Sequence, residues 1–312
     1  MAEMSFEEYR ARILSQCERL IVGKADVIEK VLICFLCSGH ILLEDVPGTG
    51  KTMLLRAFAA TVGGSFRRVQ FTPDLLPSDL TGINFYNQRS GEFQFRPGPL
   101  FANLVLADEI NRATPRTQSA LLEAMAERQI TVDGETHPMA EPFMIMATQN
   151  PLESHGTFPL PEAQTDRFFM RLSLGYMERE QELSVLMGED TAEIVAALRP
   201  QVTQEDTESL KRALREIEVT PEVAVYLLEI VAATRNDSRI RIGVSTRGAL
   251  ALYRASQALA AFSGRSFVMP EDVKAMAPAV LAHRIVIAGS TGMREAEDMI
   301  RELAQSCAVP TE

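Results

Sequence analysis

A glycine-rich turn between an apolar strand and a helix constrains this chain more than any other stretch. The letters ILL at residues 41–43 predict a strand, and MLLRAFAA at residues 53–60 predicts a helix. The turn between them ends in GTGKT at residues 48–52. Small residues let backbone N–H groups curl around an oxyanion, and the helix N-terminus adds partial positive charge. Strand, glycine turn, Gly-Lys-Thr and helix in this order predict a phosphate-binding loop.

The side chains of this loop have separate expected roles. We expect Lys51 to reach the β- and γ-phosphates of a nucleotide, and the Thr52 hydroxyl to complete a Mg²⁺ shell. The first glycine of the usual pattern is replaced by Asp45. Aspartate tolerates unusual backbone angles better than most residues, but its carboxylate must point away from the phosphates. The loop residues expected to bind nucleotide are Pro47, Gly48, Thr49, Gly50, Lys51, Thr52 and Met53.

Composition places the chain in a broad class. A length of 312 residues favours about two domains. Contents of 46% hydrophobic and 23% charged residues are typical of an ordinary soluble globular protein. The net charge of −11 disfavours bulk nucleic-acid or anionic-membrane binding, although a local basic face stays open. We expect a cytoplasmic protein, because no N-terminal signal sequence is apparent and the apolar run at residues 31–37 is too short to span a bilayer.

The cysteines raise the question of a redox or metal site. Cys34 and Cys37 form a C-x-x-C pattern inside an apolar helical stretch. A redox or metal site would need polar surroundings or a second pair of ligands, and neither is visible. We therefore expect buried free thiols in a reducing compartment.

The order of predicted elements indicates an α/β domain followed by a helical one. Strands and helices alternate over residues 1–176, and hairpin patterns occur at about residues 83–96 and 129–142. From about residue 177 only helices are predicted, with start signals at Thr203, Thr220, Ser245 and Pro270. We predict a parallel sheet flanked by helices over residues 1–176, and a helical linker and lid over residues 177–312.

Polar residues at the ends of two apolar strands complete a candidate site. Asp108 and Glu109 follow one strand, and Asn150 follows another. Each has a plain alternative, since strands often end in polar loops and Asn-Pro often forms a turn. Downstream of a phosphate loop, we expect Asp108 to hold the Mg²⁺ shell and Glu109 to polarise the attacking water. Asn150 would hold that water or the γ-phosphate.

Several motifs taken together resemble those of AAA+ ATPases, and the specific residues in them resemble those of the MoxR family. They are GTGKT at 48–52, LADEINR at 106–112, ATQNP at 147–151, LPEAQTDRF at 160–168 and GVSTR at 243–247. The segment FTPDLLPSD at 71–79 and the two hairpins strengthen the match. The resemblance covers nearly the whole chain, and the motifs are specific as a set. It implies an AAA+ P-loop NTPase core with two β-hairpin inserts and a small all-α lid.

The resemblance also implies roles that spacing alone does not give. Arg167 would be an arginine finger that reaches the γ-phosphate of a neighbouring subunit. Arg247 would be a second sensor on the lid that touches nucleotide in its own subunit. Val22 and Gly23 would lie near the adenine. Without the resemblance, Arg167 and Arg247 would be read as solvated or ion-paired arginines.

The implied activity is ATP hydrolysis with Mg²⁺ by a ring, a hexamer by family resemblance, that remodels or assembles a partner protein complex. The implied partners are an unknown client and a protein with a von Willebrand A domain, with no nucleic acid and no membrane insertion. Three alternatives stay open: a magnesium-chelatase-like subunit, a nucleic-acid motor and a small-molecule kinase. Few cations on the hairpins disfavour the motor. The paired acids fit attack by water better than transfer to a bound acceptor.

Overall fold

A computed structural model describes residues 4–45, 48–149, 156–188, 191–289 and 292–310. The strands are β1 (Ile41–Glu44), β2 (Phe66–Gln70), β3 (Gly82–Asn87), β4 (Glu92–Pro97), β5 (Leu104–Asp108), β6 (Gln129–Val132), β7 (Glu135–Pro138), β8 (Met144–Gln149), β9 (Met170–Leu172), β10 (Ile240–Ile242) and β11 (Val286–Ile287). The helices are α1 (Phe6–Cys17), α2 (Ala25–Leu36), α3 (Lys51–Val62), α4 (Pro77–Thr81), α5 (Pro115–Glu127), α6 (Glu162–Thr165), α7 (Arg179–Met187), α8 (Thr191–Ala197), α9 (Gln204–Ala213), α10 (Pro221–Asn236), α11 (Thr246–Phe262), α12 (Pro270–Leu281) and α13 (Met293–Ser306). Short 3₁₀ turns cover Pro99–Phe101, Ile110–Arg112, Leu214–Glu216 and Ala282–Arg284.

The predicted strands form one parallel sheet in the order β2-β5-β8-β1-β9. In its register Ile41 pairs with Met146 on one side and with Met170 on the other. The strands β1, β5 and β8 are buried along nearly their whole length. A strand that is covered on both faces has apolar residues at every position, which explains the continuous apolar sequences of these strands. Because all five strands run in the same direction, the segments that follow β1, β5 and β8 leave the sheet at one edge.

Both predicted hairpins are present and touch each other. β3 pairs with β4 and β6 pairs with β7, each in antiparallel register. Asp133 and Gly134 both have positive φ, as a two-residue Asp-Gly turn requires. Asn84 Nδ2 donates a hydrogen bond to Asp133 Oδ2 at 3.0 Å. The Phe95 ring stacks on His137 with centroids 4.0 Å apart, so the hairpins form one joined unit.

The predicted helix starts are confirmed by their caps. A backbone N–H in the first turn of the following helix donates a hydrogen bond to the side chain of Thr203, of Thr220 and of Ser245. The side chain of Ser5 caps α1 in the same way. Such a cap contributes about 1 kcal/mol to helix stability. Pro270 is the first residue of α12, where its missing N–H costs nothing.

Three local features differ from the sequence pattern. Gly39 follows α2 and is the residue type that commonly ends a helix, but the left-handed residue is Ser38. Gly39 is instead needed for packing, because a Cβ there would lie 2.4 Å from Phe169 Cβ. The turn-rich segment before the first hairpin contains the short helix α4, which its apolar Leu80 anchors in the core. The helical part also contains the antiparallel pair β10–β11.

The core lies in two apolar clusters on opposite faces of the sheet. One cluster joins α1, α2 and α3 to the helices α9–α13, and the other lies under α4 and α5. The lid helices therefore share a continuous core with the α/β part. The predicted boundary between residues 176 and 177 stays a prediction. No helix within the described ranges is both long and apolar enough to cross a membrane.

All four cysteines are free thiols; Cys17 and Cys34 are buried, as expected for Cys34, whereas Cys37 and Cys307 are half-buried. Burial raises the pKa of the Cys17 and Cys37 thiols to about 12, and raises that of Cys34 as well. A thiol with a raised pKa stays protonated and is a poor nucleophile and a poor metal ligand. Within the described ranges no group of three or more His, Cys, Asp or Glu side chains is arranged to hold a metal.

Candidate active site

A cavity of about 520 Å³ lies at the edge of the sheet where β1, β5 and β8 end. It is lined by the phosphate loop, by the acids after β5 and by polar residues of β2 and β8. The described lining residues are Asp45, Gly48, Thr49, Gly50, Lys51, Thr52, Met53, Arg68, Gln70, Asp108, Glu109, Arg112, Thr148 and Gln149. The strand order thus brings together segments that are up to about a hundred residues apart in sequence, as in other open parallel sheets.

The phosphate loop leads directly into α3. Gly48 and Gly50 have φ of 86° and 90°, and Gly50 is the N-cap of α3. A side chain is strained at such angles, so glycine is required there by backbone conformation. Lys51 is the first residue of the helix, and its Nζ donates to the backbone oxygen of Asp45 at 3.3 Å. Gly50, Lys51 and Thr52 all line the cavity, so the N-terminus of the helix faces it together with the lysine.

Asp45 points away from the phosphate loop, as expected. Its carboxylate accepts hydrogen bonds from the backbone N–H of Leu174 at 2.5 Å and of Gly175 at 3.3 Å. The hydroxyl of Ser173 donates a third, at 3.2 Å. The side chain is buried, and these donors offset the cost of burying a carboxylate. Asp45 therefore ties the start of the phosphate loop to the segment after β9.

Asp108 is held by two donors at the end of β5. Thr148 Oγ1 donates to Oδ1 at 2.7 Å, and Arg68 Nη2 donates to Oδ2 at 2.6 Å. Both partners come from strands next to β5, one on each side. Asp108 and Thr52 line the same cavity and offer the hard oxygen ligands that Mg²⁺ prefers. Mg²⁺ at a nucleotide site takes few protein ligands, so the residues present fit such an ion.

Glu109 has a left-handed backbone, with φ of 56°. Its N–H donates to Thr148 Oγ1 at 2.8 Å, and its Oε2 accepts from Gln70 Nε2 at 2.6 Å and from Arg112 Nη1 at 2.9 Å. A non-glycine residue at this angle is uncommon and often marks a functional site. The conformation turns Glu109 into the cavity beside Asp108.

Arg68, Gln70 and Thr148 were not expected in the site from sequence. Arg68 and Gln70 alternate along β2 and so face the same side of the sheet. Their polar character was visible, but only the strand order places β2 beside β5. Thr148 lay inside a motif quoted for the resemblance, and its role in joining Asp108 to Glu109 needs the fold.

The arginines implied by the resemblance are elsewhere. Among the described residues that line the cavity, neither Arg167 nor Arg247 occurs. Arg167 is exposed, and its Nη1 donates to the backbone oxygen of Leu122 at 2.9 Å. Arg247 is 60% exposed and lies 3.6 Å from the carboxylate of Asp166.

The loop expected near the adenine lies beside the phosphate loop. Ile21 Cδ1 would be 3.7 Å from a Cβ built on Gly50. Gly23 is exposed with φ of 72°, and Val22 lines a separate cavity of about 270 Å³. Two further predicted residues, Pro47 and Asn150, lie outside the described ranges.

Comparisons with known proteins agree with this arrangement. Residues 40–170 match the ATPase family associated with various cellular activities (AAA), and residues 232–303 match the AAA lid domain. The Bacillus subtilis protein YeaC is 45% identical over 96% of this chain and 95% of its own length. The chaperone MoxR1 of Mycobacterium tuberculosis is 40% identical over 96% of this chain and 82% of its own. A Cytophaga hutchinsonii crystal structure superposes with a TM-score of 0.88 at 37% identity, over 97% of this chain and 96% of that one.

Proposed function

Because this chain belongs to the MoxR family of AAA+ ATPases and hydrolyses ATP, we propose that it uses this hydrolysis to remodel, assemble or mature a partner protein complex. The observation that carries the proposal is the gathering of Lys51, Thr52, Asp108 and Glu109 around one cavity. In this arrangement Lys51 would contact the β- and γ-phosphates of the nucleotide. Thr52 and Asp108 would hold Mg²⁺, which supplies positive charge next to the phosphates.

Glu109 is the residue that we assign to the attacking water. Its carboxylate has hydrogen bonds on Oε2 from Gln70 and Arg112, and these fix its direction. A fixed carboxylate beside the terminal phosphate can orient a water and accept its proton. Asn150 is proposed as a second contact for that water. The nucleotide base would lie toward Val22 and Gly23, with Arg247 closing over the phosphates from the lid.

A ring would add an arginine from the neighbouring subunit to the cavity of each subunit. Arg167 is exposed and is not among the described residues that line the cavity. We assign it to the γ-phosphate of the neighbouring subunit, in a ring that we propose to be a hexamer. An arginine supplied in this way can contribute about 10³–10⁵ in rate. A dilute single subunit should therefore bind ATP but hydrolyse it slowly.

The joined hairpins are the proposed contact with the client. Ile83, Phe85, Tyr86 and Phe93 are all exposed, and Phe93 is 74% exposed. Tyr86 and Phe93 share one face of the first hairpin, with ring centroids 5.4 Å apart, and Ile83 and Phe85 lie on its other face. Exposed apolar side chains of this kind mark interaction surfaces. The two hairpins with their turns, residues 82–97 and 129–138, carry two arginines against three acids, so their charge disfavours a nucleic-acid phosphate backbone. A von Willebrand A domain protein is proposed to link the ring to its client.

Two measurements test the proposal together. The ATPase rate per subunit should rise with protein concentration, in parallel with ring formation seen by light scattering. A Glu109→Gln ring in ATP should retain a client whose addition raises the ATPase rate of the wild-type ring. Lys51→Ala is the control that does not bind ATP, and Phe93→Ser is the control on the hairpin. A rate that is constant from extreme dilution to high concentration, with no multimer, would refute the shared site.

A further inference from the structure

Arg284 is a buried arginine between the lid and the segment that carries Arg167. It ends the 3₁₀ turn after α12, and its side chain is only 2% exposed. Burial lowers the pKa of its guanidinium to about 10, and the carboxylate of Asp166 opposes this effect. The group is therefore still charged at neutral pH. A buried charge is costly unless it is paired and hydrogen-bonded, so its partners identify what it holds in place.

All five N–H donors of the Arg284 guanidinium have acceptors. Nε donates to Asp166 Oδ1 at 2.9 Å, and Nη2 donates to the backbone oxygens of Asp166 at 3.3 Å and Phe168 at 2.6 Å. Nη1 donates to the backbone oxygen of Phe169 at 3.2 Å and to that of Val280. Four of these five hydrogen bonds go to residues 166–169. This segment is thus bound to the lid through one planar side chain.

Other lid groups support the same attachment. His283 Nε2 donates to the backbone oxygen of Phe168 at 3.0 Å. Burial lowers the pKa of His283, which keeps its ring neutral. The hydroxyl of Ser245 lies 3.2 Å from both carboxylate oxygens of Asp166. A Cβ on Gly248 would lie 2.7 Å from Arg284 Cδ, so the first turn of α11 packs directly on the arginine stem.

Arg247 contacts the same carboxylate much more loosely. Its guanidinium lies 3.6 Å from Asp166 and is 60% exposed. An exposed ion pair of this kind contributes little free energy, about 0–1 kcal/mol. Arg247 can therefore rotate toward a nucleotide while Arg284 still holds Asp166. The backbone that precedes Arg167 then moves with the lid whether or not the ion pair between Arg247 and Asp166 is kept.

We propose that Arg284 is a positioning residue for Arg167. It fixes residues 166–169 to the lid. The orientation of the lid in one subunit therefore determines the position of Arg167 relative to the nucleotide of the next subunit. The inference rests on the proposed function, because it requires a site shared between subunits. A misplacement of about 1 Å at a reacting centre can cost about 100-fold in rate.

The test is Arg284→Lys in the full chain. Lysine keeps the charge but loses the planar fork that binds four acceptors of residues 166–169. We expect ATP affinity to stay within about twofold and kcat to fall about 100-fold, since only Arg167 is displaced. Arg241→Lys is the matched control, because Arg241 joins the lid to Glu162 of the same core region through an exposed pair at 3.4 Å. That variant should behave as wild type.

Mixed rings distinguish a positioning role of Arg284 from general damage to the subunit by the substitution. Glu109→Gln subunits bind ATP and present a normal Arg167, but their own sites are inactive. In a random 1:1 mixture with Arg284→Lys, about one quarter of the sites join an intact cavity to an intact Arg167, because each interface in a closed ring pairs the two surfaces independently. We expect about one quarter of the wild-type rate. A wild-type kcat for Arg284→Lys, or no recovery in rings shown to contain both chains, would overturn the inference.

The same mixture with Arg167→Ala in place of Arg284→Lys tests the shared site itself. If ATPase activity recovers with Arg167→Ala but not with Arg284→Lys, only the positioning role of Arg284 is excluded. Failure of both would remove the shared site as well. If Arg284→Lys does not fold by circular dichroism, Asp166→Asn replaces it, because it keeps the side-chain size and removes the ion pair. Its kcat should fall and recover in the same mixture, and an unchanged kcat would contradict the inference.

Discussion

Replacing Asp45 by asparagine tests why this chain lacks the usual first glycine of the phosphate loop. The carboxylate has three donors pointing at it, from Ser173, Leu174 and Gly175. Asparagine has the same shape but only one acceptor oxygen. At least one buried donor must then face the amide NH₂ group. A lost hydrogen bond of this kind costs about 2–3 kcal/mol when the acceptor was a carboxylate.

For an α/β part of this size, that loss corresponds to a fall of about 5–10 °C in Tm. The assay is thermal unfolding followed by circular dichroism, with ATP affinity measured by calorimetry on the same samples. Asp298→Asn is the matched control, since that side chain is 73% exposed and pairs with Arg301 only on the surface. It should change Tm by less than about 2 °C.

A glycine variant tests the anchoring role of the Asp45 carboxylate more sharply. Asp45→Gly restores the usual loop residue but removes every acceptor for the three donors. We expect it to be less stable than Asp45→Asn and to bind ATP more weakly, because the loop loses its anchor to the segment after β9. A Tm for Asp45→Gly at or above that of wild type would refute the anchoring role.

The remaining predictions concern the active site and one buried histidine. Lys51→Ala should abolish ATP binding in a calorimetric titration, and tight binding by that variant would contradict the loop assignment. Glu109→Gln should bind ATP but release phosphate at least about 100-fold more slowly, because the water loses its base; near-normal turnover would exclude that role. Arg167→Ala should bind ATP, and mixed rings with Lys51→Ala should regain activity that neither variant has alone. Burial lowers the pKa of His40 from 6.5 to about 4, while both ring nitrogens hydrogen-bond to backbone groups. Between these two pH values the unfolded chain binds more protons than the folded chain. The stabilising contribution of His40 is therefore complete above pH 6.5, and the free energy of unfolding falls by about 3 kcal/mol as the pH falls to 4. His40→Gln should flatten that part of the urea-unfolding pH profile, and an unchanged profile would argue against it.

Local patterns predicted elements well where one residue decides the conformation. Asp133-Gly134 predicted a hairpin turn and Thr220-Pro221 a helix start, and both are present. Ser38 shows the limit of such patterns. The next residue, Gly39, is of the type that commonly ends a helix, but it is needed for packing against Phe169, and Ser38 takes the left-handed conformation instead.

Short motifs of adjacent residues are enough to predict the phosphate loop, the acids Asp108 and Glu109, and the family resemblance from which the role of Arg167 is inferred. The contacts of Arg68 with Asp108 and of Arg284 with residues 166–169 depend instead on how the chain folds. Those contacts join residues 40 and more than 100 positions apart, through a strand order and a lid packing that no local pattern contains. A buried guanidinium can be satisfied only where a chain folds several carbonyl groups around it, and that place is a property of the whole fold.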